Sequence, residues 1–288
     1  MEAALERKLK DYIKTIPSLP TSVTKVLEIC NNPQTSPADL NHVISLDPVL
    51  VGRVLKLINS AYYGLGQQVT SLARAIIMLG INTVKNLALS TAVMGHIPKK
   101  TTTGLDMEGF WRHSLCVGVS AKLLARKRGI DPKISEEYFT AGLLHDLGKI
   151  PLNAVLNKDY LLTIGEADRN RKPLYELEES TLGLNHCTAG ALIREAWKLE
   201  GAVGDAILHH HGIDEYTGEH KDILYSVAAA NKFASMSEIG FSGDRYPASL
   251  SPEIWETLNV SSEIFMDIED SVFKEIERAA IFLKIGSL

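Results

Sequence analysis

The stretch "AGLLHDLGKIPL", residues 141–152, sets a histidine and an aspartate side by side at the end of an apolar run, with Gly148 and Lys149 just behind them. Apolar residues around it recur at three- and four-residue intervals, so the spacing predicts a helix over 135–147. On that helix His145 shares a face with Tyr138, Ala141 and Gly142, and Asp146 follows about 100° further round. The same period runs outward in both directions. Downstream it predicts helices near 173–183, 186–198, 202–211, 221–237 and 262–285. Upstream it predicts one near 107–128. Apolar/polar alternation bounded by turn residues is nearly absent, so the fold class is all-α.

The first hundred residues follow the same rule. "ADLNHVISL" (38–46) carries Leu40, Val43, Ile44 and Leu46 at helical spacing, and Asp47-Pro48 reads as an N-cap followed by proline at the first helical position. Val51, Val54, Leu55 and Ile58 continue on one face. "AYYGLGQQ" (61–68) reads as a loop, "SLARAIIMLG" (71–80) as a helix that Gly80 can end, and "INTVKNLALSTAVMGHI" as another helix. "PKKTTTGLD" (98–106) is polar and holds Pro and Gly, which places a boundary there. The expected organisation is an N-terminal helical module over 1–100 packed on a second helical unit over 101–288. "EIGFSGDRYPASLSPE" (238–253) is the longest loop-like stretch, and its Tyr-Pro reads as coincidence.

Charge follows the same division. Of 30 Lys+Arg and 35 Asp+Glu, the first 100 residues hold 11 and 6, and the remainder holds 19 and 29. A basic half joined to an acidic half points to two modules, either neutralising one another or offering the basic face to an acidic partner. The chain is 45% hydrophobic and 23% charged, enough for a large core under a solvated surface. It has no run of 18 apolar residues, so no membrane span is expected. The start, "MEAALERKLKDYIKTI", mixes charges with apolar residues and does not read as a signal peptide. Cys30, Cys116 and Cys187 lie far apart on helix-like segments, as reduced thiols of a cytoplasmic protein would.

Nine histidines are present. His42, His96 and His220 read as surface residues. By helical counting His113 faces inward with Phe110, Val117, Ser120 and Leu124. His186 does so with Ala189, Gly190, Ile193 and Trp197, and His210 with Val203, Ala206 and Ile207. One inward histidine is ordinarily a satisfied core residue. Four, with an inward aspartate and the pair His210-His211, are harder to bury, since each unsatisfied polar group costs about 1–3 kcal/mol. One or two metal ions would satisfy them together, and a polar core network is the alternative. Imidazole and carboxylate donors suit a divalent transition metal: iron first, then manganese or zinc, with cobalt and nickel also compatible.

The order of these motifs carries a resemblance. His113, then His145-Asp146 with Gly148-Lys149, then His186, then His210-His211 resembles the HD superfamily of metal-dependent phosphohydrolases, most closely the HD-GYP cyclic-dinucleotide phosphodiesterases. "SLDPVLVGRVLKLINSAYYGLGQQVTSLARAIIMLGINTVKNLALS" looks like the HDOD domain (HD-related output domain) of bacterial signalling proteins, and "FWRHSL", "AGLLHDLGK" and "AILHHH" fit that family as well. The resemblance covers about residues 15–235. It implies metal ligands at His113, His145, Asp146, His186, His210 and His211, with Asp146 bridging two ions. Lys149 matches a lysine that can hold a substrate phosphate, so Asp146 and Lys149 become the candidate catalytic pair. Gly148 would let the chain turn and aim Lys149 into the cleft.

Two departures stand against activity. Asn231, in "SVAAANKFASM", occupies the position of the last aspartate ligand, so it is a neutral candidate ligand and one formal charge is lost. The Gly-Tyr-Pro loop of HD-GYP enzymes is missing after the histidine pair. HDOD domains commonly lack parts of the catalytic set and act as regulatory modules. The expected role is therefore regulation through contacts with a signalling protein, with a metal-binding cleft that could take a phosphate-containing small ligand. The alternative is a metal-dependent phosphohydrolase on a nucleotide, cyclic dinucleotide or other phosphate ester. "LARAIIMLGINTVKNLALS" has a helix-Gly-helix form, but its second helix offers few polar readers, so nucleic acid is set aside as a partner.

Overall fold

The computed structural model describes residues 2–97 and 104–285, and among them every regular element is a helix. The N-terminal part runs α1 (Glu2–Thr15), α2 (Thr21–Cys30), α3 (Pro37–Ser45), α4 (Pro48–Ile58), α5 (Leu72–Leu79) and α6 (Ile81–His96). The remainder runs α7 (Met107–Lys127), α8 (Pro132–Leu144), α9 (Lys149–Leu156), α10 (Lys158–Asn170), α11 (Leu174–Leu182) and α12 (His186–Trp197). It ends with α13 (Gly201–His209), α14 (Lys221–Met236), α15 (Pro252–Leu258), α16 (Ile264–Ala279) and α17 (Ile281–Ile285). The protein is all-α.

Local chemistry explains the starts. Asp47 accepts from the Leu50 amide ahead of Pro48. Ser36 forms a capping box with Asp39. Asp106, Asp131 and Asn185 cap α7, α8 and α12. The predicted helix over 135–147 begins earlier, at Pro132, where Asp131 caps it, and stops at Leu144. His145 to Gly148 form a turn that leads into α9. The helix expected over 262–285 breaks at Ala280, and α9, α10 and α15 were not foreseen. Most of the 98–106 linker, including the boundary at 100, lies outside the described residues.

α7 and α8 form the centre, with α13, α14 and α16 packed around them. Their axes approach closely because neither helix has a side chain at the crossing. A Cβ on Gly142 would lie 2.9 Å from the backbone of Gly118, and one on Gly118 would meet Phe139 and Leu143. α6 packs on α8 and is itself surrounded by α2, α4 and α5; from Thr83 to Met94 it is almost wholly buried. The apolar face of α1 (Leu5, Leu9, Ile13) covers α9 and α12, and α17 returns to α4 and α6. Between these parts Lys122 of α7 is buried against Glu136 of α8 and donates to the Tyr62 hydroxyl at 2.9 Å. No single described helix is long and apolar enough to cross a membrane; α5 and α6 reach that length only as a pair bent by 118°.

Candidate metal centre

Each candidate ligand sits where an element starts, ends or crosses another. His113 projects from the middle of α7. His145 and Asp146 occupy the turn after α8. His186 is the first residue of α12, and His210 and His211 follow α13. Gly148 brings the turn and α12 together. Its backbone is right-handed (φ −66, ψ −19), so it is needed here for contact and not for an unusual turn. A Cβ there would come within 2.5 Å of the Gly190 nitrogen and closer still to the His186 carbonyl oxygen.

These elements bring six of the predicted residues into two triads. His186, His210 and His211 form one; His113, His145 and Asp146 form the other. In each, the ligand atoms all lie within 4.8 Å of one another. Asp146 joins the triads, with one oxygen 3.4 Å from His186 Nε2 and 3.5 Å from His210 Nε2, the other 3.4 Å from His145 Nε2. Five of the six are fully buried, and His211 is half-buried beneath the stacked ring of Tyr175.

The imidazole orientations are fixed from behind. His145 Nδ1 donates to the Gly142 carbonyl at 2.7 Å, His210 Nδ1 to the Ala206 carbonyl at 2.7 Å, and His186 Nδ1 to the Glu178 carboxylate at 2.5 Å. Those acceptors place the proton on Nδ1 and leave a lone pair on each Nε2, the arrangement of metal-ligating histidines. His186 Nε2 then faces His210 Nε2 at 3.2 Å and His211 Nε2 at 3.1 Å. Lone pairs that close repel unless a cation sits among them. His145 Nε2 and Asp146 Oδ1 are buried without any hydrogen-bond partner, which is expensive in a dry core. The donor set and its orphaned atoms fit a divalent transition metal.

The electrostatics point the same way. Burial pushes His113 down to about 3, with His145 and Lys149 reinforcing the shift, so its imidazole is neutral and free to donate a lone pair. Burial also lowers His186 and, with His210 and His186 as neighbours, puts His211 well below the usual range. His210 is the exception: burial is outweighed by Cys187 and Asp146, which favour its protonated form, so a metal bound at its Nε2 would have to displace a proton. Burial alone would raise Asp146, but His145 and Lys149 hold it far below the carboxylate range, so it is an anion.

Lys149 and Asn231 are at the site but engaged. Lys149 Nζ donates to Asp146 at 2.7 Å and to the Ser242 hydroxyl at 3.2 Å, fully buried. Asn231 Oδ1 lies 2.9 Å from His113 Nε2. The three histidines expected at the surface are exposed or half-buried, and His220 pairs with Asp205 at 2.8 Å.

Sequence reasoning missed Glu178, Ser242 and Asp244. Glu178 is fully buried; it takes the His186 amide at 2.8 Å, the His186 ring and the Tyr160 hydroxyl at 2.6 Å. The available signal was positional, because Glu178 follows Leu174 by four residues on the inward face of α11. Ser242 and Asp244 come from the loop 237–251, which folds back over α7, where the Phe241 amide bonds the Gly109 carbonyl at 2.9 Å. A cavity of about 180 Å³ between that loop and His113 is lined by Ser235, Ser242, Asp244 and Arg245. Burial raises Asp244 to about 6, against the opposing pull of Lys149.

The sequence profile described as the HDOD domain matches residues 16–213. An uncharacterized protein of Treponema pallidum (strain Nichols) is 28% identical over 228 residues, covering 79% of this chain and 44% of that protein, so the chain spans less than half of that relative's length. The crystal structure of an HDOD domain protein of unknown function from Geobacter sulfurreducens superposes with a TM-score of 0.76 at 26% identity, over 97% of each chain. A Shewanella amazonensis SB2B protein, provisionally named a phosphohydrolase, superposes with a TM-score of 0.66 at 24% identity, again over 97% of each chain.

Proposed function

This chain belongs to the HDOD family, and from that premise we propose that it is a regulatory module of a signalling system whose HD-like cleft holds one or two divalent transition-metal ions. The observation that carries this reading is the set of inward Nε2 lone pairs around Asp146, held from behind by Gly142, Ala206 and Glu178. Metal in this site would act chiefly by clamping α7, α8, α12 and α13 together, because an ion bound only by the folded state stabilises it by linkage. Iron is our first candidate, then manganese or zinc. The regulatory output passes through contacts with a cytoplasmic protein partner.

Regulation is favoured over turnover by how the remaining polar groups are used. Lys149, which a phosphohydrolase would turn toward a substrate phosphate, gives its ammonium to Asp146 and Ser242. Asn231 contributes no charge and is engaged with His113. The second reading, a metal-dependent phosphohydrolase, is kept alive by one observation: two triads, one containing Asp146 and the other within reach of its second oxygen, provide donors for two ions, and paired ions can activate a hydroxide and neutralise phosphoryl oxygens. A screen of phosphomonoesters, nucleotides and cyclic dinucleotides with the metal-loaded protein decides between them. The regulatory reading expects no turnover that Asp146→Ala abolishes. Turnover lost in Asp146→Ala, or strengthened in Asn231→Asp, would overturn it.

A further inference from the structure

A cavity of about 450 Å³ lies away from the histidines, between α14, α15 and α16. That volume is within the about 300–1,000 Å³ of ligand-binding clefts. Its walls are aromatic: Phe233 of α14 and Phe265 of α16 stack with centroids 4.7 Å apart and planes at 12°, and Trp255 of α15 borders them. Two methionines stand at its rim and face solvent, Met236 at 67% and Met266 at 77% exposure. Phe273, 47% exposed, continues the line two helical turns beyond Met266 on the same face of α16. Methionine rims on aromatic grooves adapt to apolar partners because the thioether side chain is flexible and polarizable.

Acidic groups outnumber basic ones around it. Glu263 and Glu269 line the cavity with one half-buried lysine, Lys232; Asp267 and Asp270 are also exposed at the start of α16, and no basic residue occurs on that helix before Lys274. We propose that this groove docks an amphipathic helix of another protein, with apolar anchors at i, i+3 or i+4 and i+7 and Lys or Arg along its flank. The helical spacing of Met266 and Phe273 gives such a helix two successive contacts, and the carboxylates select a basic flank and speed its approach. An isologous contact with a second copy would set these carboxylates against each other, and an anionic membrane surface would be repelled. The proposal supplies the contact surface for the regulatory reading and rests on it only for the partner's role, since neither the groove nor its rim uses a metal ligand.

The test uses the full chain and a fluorescein-labelled 18-residue peptide of Leu and Lys with Leu at i, i+3, i+4 and i+7, followed by anisotropy. The peptide should bind the wild-type protein and the Asp146→Ala variant with equal affinity. Met236→Arg/Met266→Arg should weaken binding at least tenfold, while Met266→Leu should retain it. Both methionines are mostly exposed, so the arginine variant should keep its fold, which circular dichroism checks. A peptide with Glu in place of Lys should not bind. Equal binding to the wild type and the arginine variant, or equal binding of the Lys and Glu peptides, would overturn the proposal. So would loss of binding in folded Asp146→Ala, or self-association of the wild type that Met266→Arg abolishes, which would assign the groove to a second copy.

Discussion

Gly148→Ala changes one hydrogen to a methyl group, yet the geometry predicts that it dismantles the metal centre. The added Cβ would stand 2.5 Å from the Gly190 nitrogen, and ordinary contact begins at 3.4 Å, so α12 and the turn must separate by about 0.9 Å at least. The atoms in the way are backbone, which cannot swing aside. Overpacking a core costs about 1–3 kcal/mol when side chains can adjust, so about 3 kcal/mol is the expected loss, or roughly 6–12 °C in Tm for a chain of this size. The effect on metal should be larger still. Ligand distances hold within about 0.2 Å, and the forced separation moves His186 away from His145 and Asp146 by several times that tolerance. Elemental analysis and thermal unfolding of the variant should show metal content near zero and a Tm roughly 6–12 °C below that of chelated wild type. Gly52→Ala is the control, since a Cβ there meets nothing within 4 Å; it should leave metal unchanged and raise Tm by about 2–4 °C, because alanine is the better residue inside an exposed helix. Full metal content in Gly148→Ala with a wild-type Tm would refute the reasoning.

Other expectations follow from single contacts. Glu178→Gln removes the charge that orients His186, and metal affinity should fall about 10–100-fold in competition with a chromophoric chelator; unchanged affinity would mean the start of α12 orients the ring by itself. Lys122→Met strands the buried Glu136 carboxylate and should cost about 3–5 kcal/mol in urea unfolding, most of it recovered by Lys122→Met/Glu136→Leu. Asp222, paired with Arg128 at 2.9 Å and with Tyr138, is held below the usual carboxylate range because those partners outweigh burial. Its folded pKa is depressed, so its stabilisation is present above the unfolded carboxylate value and is lost as pH falls through the folded one. The Tm gap between wild type and Asp222→Asn should therefore hold steady above about pH 4 and narrow only as pH falls further, and a gap that stays constant down to pH about 2 would contradict the assignment.

The all-α class and most helices were legible because buried faces repeat at helical spacing and because Asp47 caps where it stands, ahead of Pro48. The histidines' inward direction was legible for the same reason. What spacing could not give was the turn after Leu144, because nothing in the apolar period marks where a buried helix stops under tertiary packing. Nor could it give partners distant in sequence. Ser242 meets Lys149 from 93 residues away, and the loop that carries it has no periodic signal. Glu178 sits among Glu176 and Glu179, which are exposed, and its burial is decided by the approach of α12 to α11. The need for glycine at 148 is likewise a property of two backbones meeting and not of the turn that the sequence suggests.

The central claim is that the residues around Asp146 are a metal centre. Its most direct test is elemental analysis of the protein purified without added metal or chelator, beside Asp146→Ala. The account predicts at least one equivalent of iron, manganese or zinc per chain in the wild type and none in the variant, with a wild-type Tm that falls on chelation. Wild-type protein free of metal, and indifferent to added iron, manganese or zinc in thermal unfolding, would contradict it and make the histidines a polar core.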